Sequence, residues 1–265
     1  MLTIAGITLK RLREPAFFLL LLISICAGYF MSGMESVASQ ISSDSFLIHL
    51  VYEKSRYQPV LASSLLAFFV SLMLACFSGA AEIPRDIATG QVQFLLTKPI
   101  SRTSYMCGKY LGILATCLVF FTLIEISIVV FYYLGENTWY SFPMILRQFQ
   151  LTIAFIPCVA VIVALSCFVG DIAAIILTVL YLMFSMLFNF IPVIISMLPP
   201  GVAAEVSNGI YVLYYLFPNL IYYFIDHNTF GFYSLVLCIY SVSVAVIFLM
   251  IAAYRLNHMD LTRKG

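Results

Sequence analysis

Charge is what this chain has least of. Of 265 residues, 13 are Lys or Arg and 12 are Asp or Glu, so 9% are charged, against about 25% in a soluble domain. So few charges cannot coat a globule with a surface that water accepts, which excludes a soluble enzyme or binding module. The net charge of +1 gives no electrostatic footprint for nucleic acid, and none is expected as a partner. Histidine occurs at 49, 227 and 258 alone, too scattered to form a catalytic or metal-binding group. No H-E-x-x-H, G-x-S-x-G or paired-glutamate motif is present, so an intramembrane protease or hydrolase has nothing to assemble from. The seven cysteines, at 26, 76, 107, 117, 158, 167 and 238, form no C-x-x-C pair. They read as small polarizable packing residues, with disulfides and metal sites not expected.

Apolar residues take the place of charge. They make up 63% of the chain, mean hydropathy is +1.06, and 17 Tyr and 23 Phe suit interfacial belts and lipid-facing surfaces. A transmembrane helix needs about 20 apolar residues. Runs of that kind cover residues 16–34, 60–80, 105–134, 149–169, 172–198 and 230–254. The expected fold is an all-α integral membrane protein: one transmembrane domain over residues 1–265 with six transmembrane helices. The first run follows positive charges as a signal peptide would, but it is too long and lacks a convincing cleavage pattern, so it reads as a retained helix.

Direction follows from Lys and Arg. With six spans drawn, Lys10, Arg11, Arg13, Arg85, Lys98, Arg102, Lys109, Arg255, Arg263 and Lys264 fall on one side. Only Lys54, Arg56 and Arg147 fall on the other. The expectation is a multi-pass protein of the cell (cytoplasmic) membrane with both termini cytoplasmic.

Residues 82–102 form the most informative loop. Pro84 fits a first helical turn, with Glu82 and Asp86 at its positive end. Ile83, Ile87, Gly90 or Gln91, and Phe94 recur at helical spacing. Lys98 precedes Pro99, which ends the helix, and Ser101 can cap the next one. A short amphipathic helix over residues 82–98 is predicted, followed by a sharp turn back into the membrane. Such a helix can lie in the headgroup layer or fit a groove on a cytoplasmic partner; the pattern alone leaves both open. In the N-terminal arm, Ile4, Ile7, Thr8 and Leu12 share one helical face and Pro15 breaks it, which predicts an interfacial helix.

Residues 199–228 lie on the opposite side. The apolar, tyrosine-rich stretch 210–225 is interrupted by Pro218-Asn219, and sixteen residues of helix cover only about 24 Å. Outer re-entrant helices are expected before the last span. Within the spans, Glu125 is costly unless paired or wet. It either lines a translocation path or is a hydrogen-bonded structural carboxyl. Asn189, with Pro192, marks a kink facing a dimer interface.

The run EIPRDIATGQVQFLLTKPISRTSYMCGKYLG (82–112) resembles the cytoplasmic signature of type-2 ABC exporter permeases. It is closest in style to the compact six-span branch that includes copper-enzyme maturation permeases. The matching positions are Glu82, Gly90 within the helix, Leu95-Leu96, Lys98-Pro99, Arg102 and Gly108-Lys109. Arg85-Asp86 and Gly90-Gln91 stand where many members carry a second acidic residue and Gly-Thr. The resemblance implies that residues 82–98 are a cytoplasmic coupling helix docked on a separate ABC ATP-binding subunit. Glu82, Arg85, Asp86, Gly90, Gln91, Leu95, Leu96, Lys98, Pro99, Arg102 and Lys109 would form that contact, and Lys98, Arg102 and Lys109 would pair with the subunit's acidic residues.

Glu125 and Asn189 remain the translocation-path candidates. The chain lacks G-x-x-x-x-G-K-[ST], since Thr103 stands where the first Gly belongs and Tyr110 follows Lys109. No cofactor is expected in this chain; ATP and Mg would be held by the partner subunit. Paired ATPases require a second permease chain, as a homodimer or related heterodimer. Membrane lipid and a periplasmic or outer-side accessory protein complete the expected partners. The expected function is the permease subunit of an ATP-driven transporter for a lipid-like or amphipathic substrate. Two rival classes remain, a proton-coupled secondary transporter using Glu125 and, behind it, an intramembrane enzyme. A signalling or structural scaffold has no feature to test.

Overall fold

The structure, a computed structural model, describes residues 58–90, 101–136, 142–187, 223 and 232–258. These residues form five helices: α1 (Gln58–Ala88), α2 (Arg102–Glu136), α3 (Phe142–Ser166), α4 (Asp171–Leu187) and α5 (Phe232–His258). The chain is an all-α membrane protein. Among the described residues, four stretches are long and apolar enough to cross a bilayer: Ala67–Ala88, Arg102–Phe131, Gln148–Ser166 and Tyr233–His258. Ile172–Ser185 in α4 is a shorter apolar helix. The span expected at 16–34, the N-terminal interfacial helix, residues 91–98 of the coupling segment and nearly all of the outer segment 199–228 lie outside the described residues.

α3 is the central helix and packs against the other four. Ala154, Phe155, Cys158, Val159, Ala160 and Ile162 are fully buried. Small residues on this helix let neighbouring backbones approach closely, which is how helices associate where lipid supplies no hydrophobic drive. Phe155 anchors an aromatic cluster across three helices, its ring centroid 4.6 Å from Phe68 of α1 and 5.3 Å from Phe121 of α2. Buried cysteines fill the same interior: Cys76, Cys117, Cys158 and Cys167 are free thiols. Hydroxyl groups inside the helices bond their own backbone, as Ser71 does to Ala67 O, Thr116 to Gly112 O and Thr178 to Ala174 O. That satisfaction makes them tolerable at membrane depth.

Large apolar side chains face outward on α4 and α5, among them Ile172 (75% exposed) and Met250 (67%). Such a surface fits lipid or another protein, not water.

Three boundaries differ from the sequence expectation. The predicted break between the second span and a separate helix at Glu82 is absent: α1 runs without interruption through Pro84 to Ala88. Proline inside a helix costs about 3 kcal/mol. Here Ile83 is fully buried and Glu82 and Asp86 face α2, so packing holds the helix together past its proline. Gly90, expected mid-helix, lies beyond the end of α1 with φ 71°, in the left-handed region that glycine enters without strain. Its N–H donates to Ile87 O while Thr89 N–H donates to Arg85 O, closing the helix. Third, α3 ends at Ser166, before a turn over residues 167–170, and not at Val169.

α1 and α2 cross closely at Gly79. A Cβ there would sit 3.0 Å from two carbons of Ile113. Gly79→Leu is therefore expected to force the helices apart and destabilise the bundle by about 1–3 kcal/mol, the usual cost of overpacking. Unfolding in mixed micelles measures it; an unchanged midpoint would show that the crossing is loose.

Candidate functional site

Two polar clusters interrupt the apolar interior. The first joins the end of α1 to the start of α2. Glu82 and Asp86 lie four residues apart on one face of α1, and Tyr105 and Lys109 are spaced the same way on α2. Facing each other, they form a two-by-two lattice. Lys109 Nζ donates to Glu82 Oε2 at 2.9 Å and lies 2.9 Å from Asp86 Oδ2. Tyr105 OH donates to Asp86 Oδ2 at 2.8 Å. All four side chains are buried. A lone buried ammonium or carboxylate is costly; one ammonium shared between two carboxylates gives each a partner and offsets one of their two negative charges.

A second contact ties the same end together. Ser101 caps α2, its Oγ accepting from Ser104 N–H at 3.1 Å, as its sequence position predicted. Arg102 Nη1 then donates to Leu256 O (2.6 Å) and Asn257 O (3.1 Å), the terminal carbonyls of α5. A cation at a helix C-terminus is favoured by the dipole as well as by the hydrogen bonds. Arg255 lies 5.7 Å over the Phe168 ring, linking α5 to the α3–α4 turn. Both chain ends flanking residues 91–100 are thus fastened: α1 to α2 through Lys109, and α2 to α5 through Arg102.

The second cluster surrounds Glu125. It lies sixteen residues beyond Lys109 on α2, about 24 Å along the helix axis. Glu125 Oε2 accepts from Gln148 Nε2 of α3 at 2.6 Å and from Ser64 Oγ of α1 at 3.4 Å. Oε1 is buried and, among the described residues, makes no hydrogen bond. Gln150 and Ser234 bond at 3.1 Å between α3 and α5, a nearby polar bridge.

A family model described as ABC-2 family transporter protein matches residues 10–261. The chain belongs to the ABC-2 transporter family. No curated protein matches it. Membership makes the chain a transmembrane permease component, with ATP hydrolysis carried out by a separate ABC ATP-binding subunit.

Within this permease, the residues expected to meet the ATPase divide in two. Glu82, Asp86 and Lys109 are buried against one another, and Lys109 pairs inside the chain. Arg102, expected to pair with such acids, is half-buried and holds α5. Arg85 is exposed, and Gly90 shapes the exit from α1. Gln91, Leu95, Leu96, Lys98 and Pro99 lie outside the described residues, as does Asn189. Glu125 is gathered with Ser64 and Gln148, two partners that sequence reasoning did not name. Tyr105 was also missed, although its place four residues before Lys109 was a usable signal.

Proposed function

We propose that this chain is the membrane half of a type-2 ABC exporter, driven through the connection between α1 and α2. The observation that carries the reading is the fastening of that connection at both ends. A force on residues 91–100 reaches α1 and α2 through the Lys109 lattice, and α5 through Arg102. The flanks of this connection are joined to three helices, so a stroke that reaches either flank is shared among them. On this reading the contact with the ATP-binding subunit is made by Arg85, Gln91, Leu95, Leu96, Lys98 and Pro99, while Glu82, Asp86 and Lys109 transmit what those residues receive.

The same reading assigns ATP and Mg to the partner subunit and two permease chains to the assembly. It places both termini on the cytoplasmic side in a six-span topology, following the distribution of Lys and Arg. The substrate class is amphipathic or lipid-like, in keeping with the outward apolar faces. Purification of the tagged chain in mild detergent tests the core of the proposal. An ATP-binding protein recovered at one copy per permease chain is the expected result. Absence of any such protein after nucleotide trapping would overturn it.

A further inference from the structure

We propose that Glu125, held by Ser64 and Gln148, is the anionic anchor of a binding site for amphiphiles with an ammonium headgroup. The substrate role of this site rests on the permease reading above; the binding itself does not. The geometry carries the argument in three steps. Glu125 is 6% exposed and sits where α1, α2 and α3 meet, with Ser64 and Gln148 both donating to the same carboxylate oxygen. Two donors converging on one oxygen are an arrangement for an acceptor, and neither donor carries a charge. The described ion pairs join Lys109 to Glu82 and Asp86, and neither involves Glu125. The lattice ammonium of Lys109 is about 24 Å away along the helix.

The second step concerns Oε1, which is buried and, among the described residues, has no hydrogen-bond partner. In either protonation state, this carboxyl lacks a partner that a membrane interior requires. A neutral donor would satisfy the hydrogen bond alone; an ammonium head supplies the hydrogen bond and the compensating charge together. The third step concerns the surroundings. Gln148 is half-buried, and an exposed apolar side chain follows each of the two polar residues in the chain: Ile126 after Glu125 on α2, and Phe149 after Gln148 on α3. A polar head resting on Glu125 would leave its alkyl tail against these side chains. One charged acceptor beneath an apolar rim selects for a cationic head on a hydrocarbon tail, and against anionic or uncharged ones.

Carboxyl labelling of the full-length wild-type chain in nonionic detergent tests the site without any ATPase. Dicyclohexylcarbodiimide converts an accessible membrane carboxyl to an N-acylurea, and peptide mass spectrometry locates the adduct. N,N-Dimethyldodecylammonium, which keeps one N–H donor and, as a tertiary amine, forms no stable amide with the activated acid, is the probe; dodecanol and dodecyl sulfate are the controls. At about ten times its dissociation constant the probe is expected to slow labelling of Glu125 about tenfold. The two controls are expected to leave it unchanged. Equal protection by all three would overturn the proposal in favour of an unselective apolar crevice. No labelling of Glu125 under any condition, or labelling that the probe does not slow, would overturn it in favour of a closed structural carboxyl. In the complex with its ATPase, Glu125→Gln is expected to abolish the stimulation of hydrolysis by N,N-dimethyldodecylammonium. Selective protection in a chain that recruits no ATPase would leave the ammonium site standing and remove only the exporter reading.

Discussion

Lys109→Met lowers the resistance of the chain to unfolding by about 3–5 kcal/mol, the cost of removing one partner from a buried charge network. Glu82 and Asp86 then lose the ammonium they share, while Tyr105 still donates to Asp86. The loss is electrostatic, not one of packing, because Met fills nearly the same volume as the Lys stem. Adding Glu82→Gln and Asp86→Asn to Lys109→Met is therefore expected to recover most of it, since replacing a whole buried network is much less costly than breaking one. SDS-driven unfolding followed by circular dichroism measures both variants. Equal destabilisation of the single and triple variants would assign the effect to packing and remove the lattice from the account.

The lattice also shows what the sequence made legible. Helix existence was readable from apolar runs, and the second, third, fourth and last spans each overlap a helix. The Ser101 cap was readable because an N-cap is a local, side-chain-to-backbone event. The end of α1 was misjudged because Pro84 and the two acids were given their usual local meaning, a helix start. Burial of Ile83 and the pairing of Glu82 and Asp86 with Lys109 come from α2, more than twenty residues away, and tertiary packing overrode the local signal. Two four-residue spacings, Glu82/Asp86 and Tyr105/Lys109, were visible, but nothing in one dimension says which helix faces which. The same holds for Glu125: its cost at membrane depth was evident, while Ser64 and Gln148 belong to other helices.

Gly90→Val combined with Arg102→Glu uncouples the permease from its ATPase. At φ 71° a β-branched residue is strained by roughly 1–2 kcal/mol or more, so Val at 90 redirects the chain leaving α1. Glu at 102 loses both bonds to the α5 carbonyls and adds a negative charge at the negative end of that helix. Both positions lie outside the aromatic core around Phe155, so the helices stay folded by circular dichroism and gel filtration. Stimulation of ATP hydrolysis by the permease is expected to fall at least about fivefold, the lower range of coupling energies between linked sites. Retention of wild-type stimulation in a folded double variant would mean that force enters the membrane domain elsewhere.

The central claim is that the ATP-binding subunit engages the connection between α1 and α2. Photo-crosslinkers placed singly at Leu95, at Leu96 and, as control, at Ile145 near the start of α3 test it most directly, in native membranes with and without nucleotide trapping. Adducts with an ATP-binding protein are expected from 95 and 96, changing in yield on trapping, and none from 145. Adducts from 145 alone, or from none of the three positions, would contradict it.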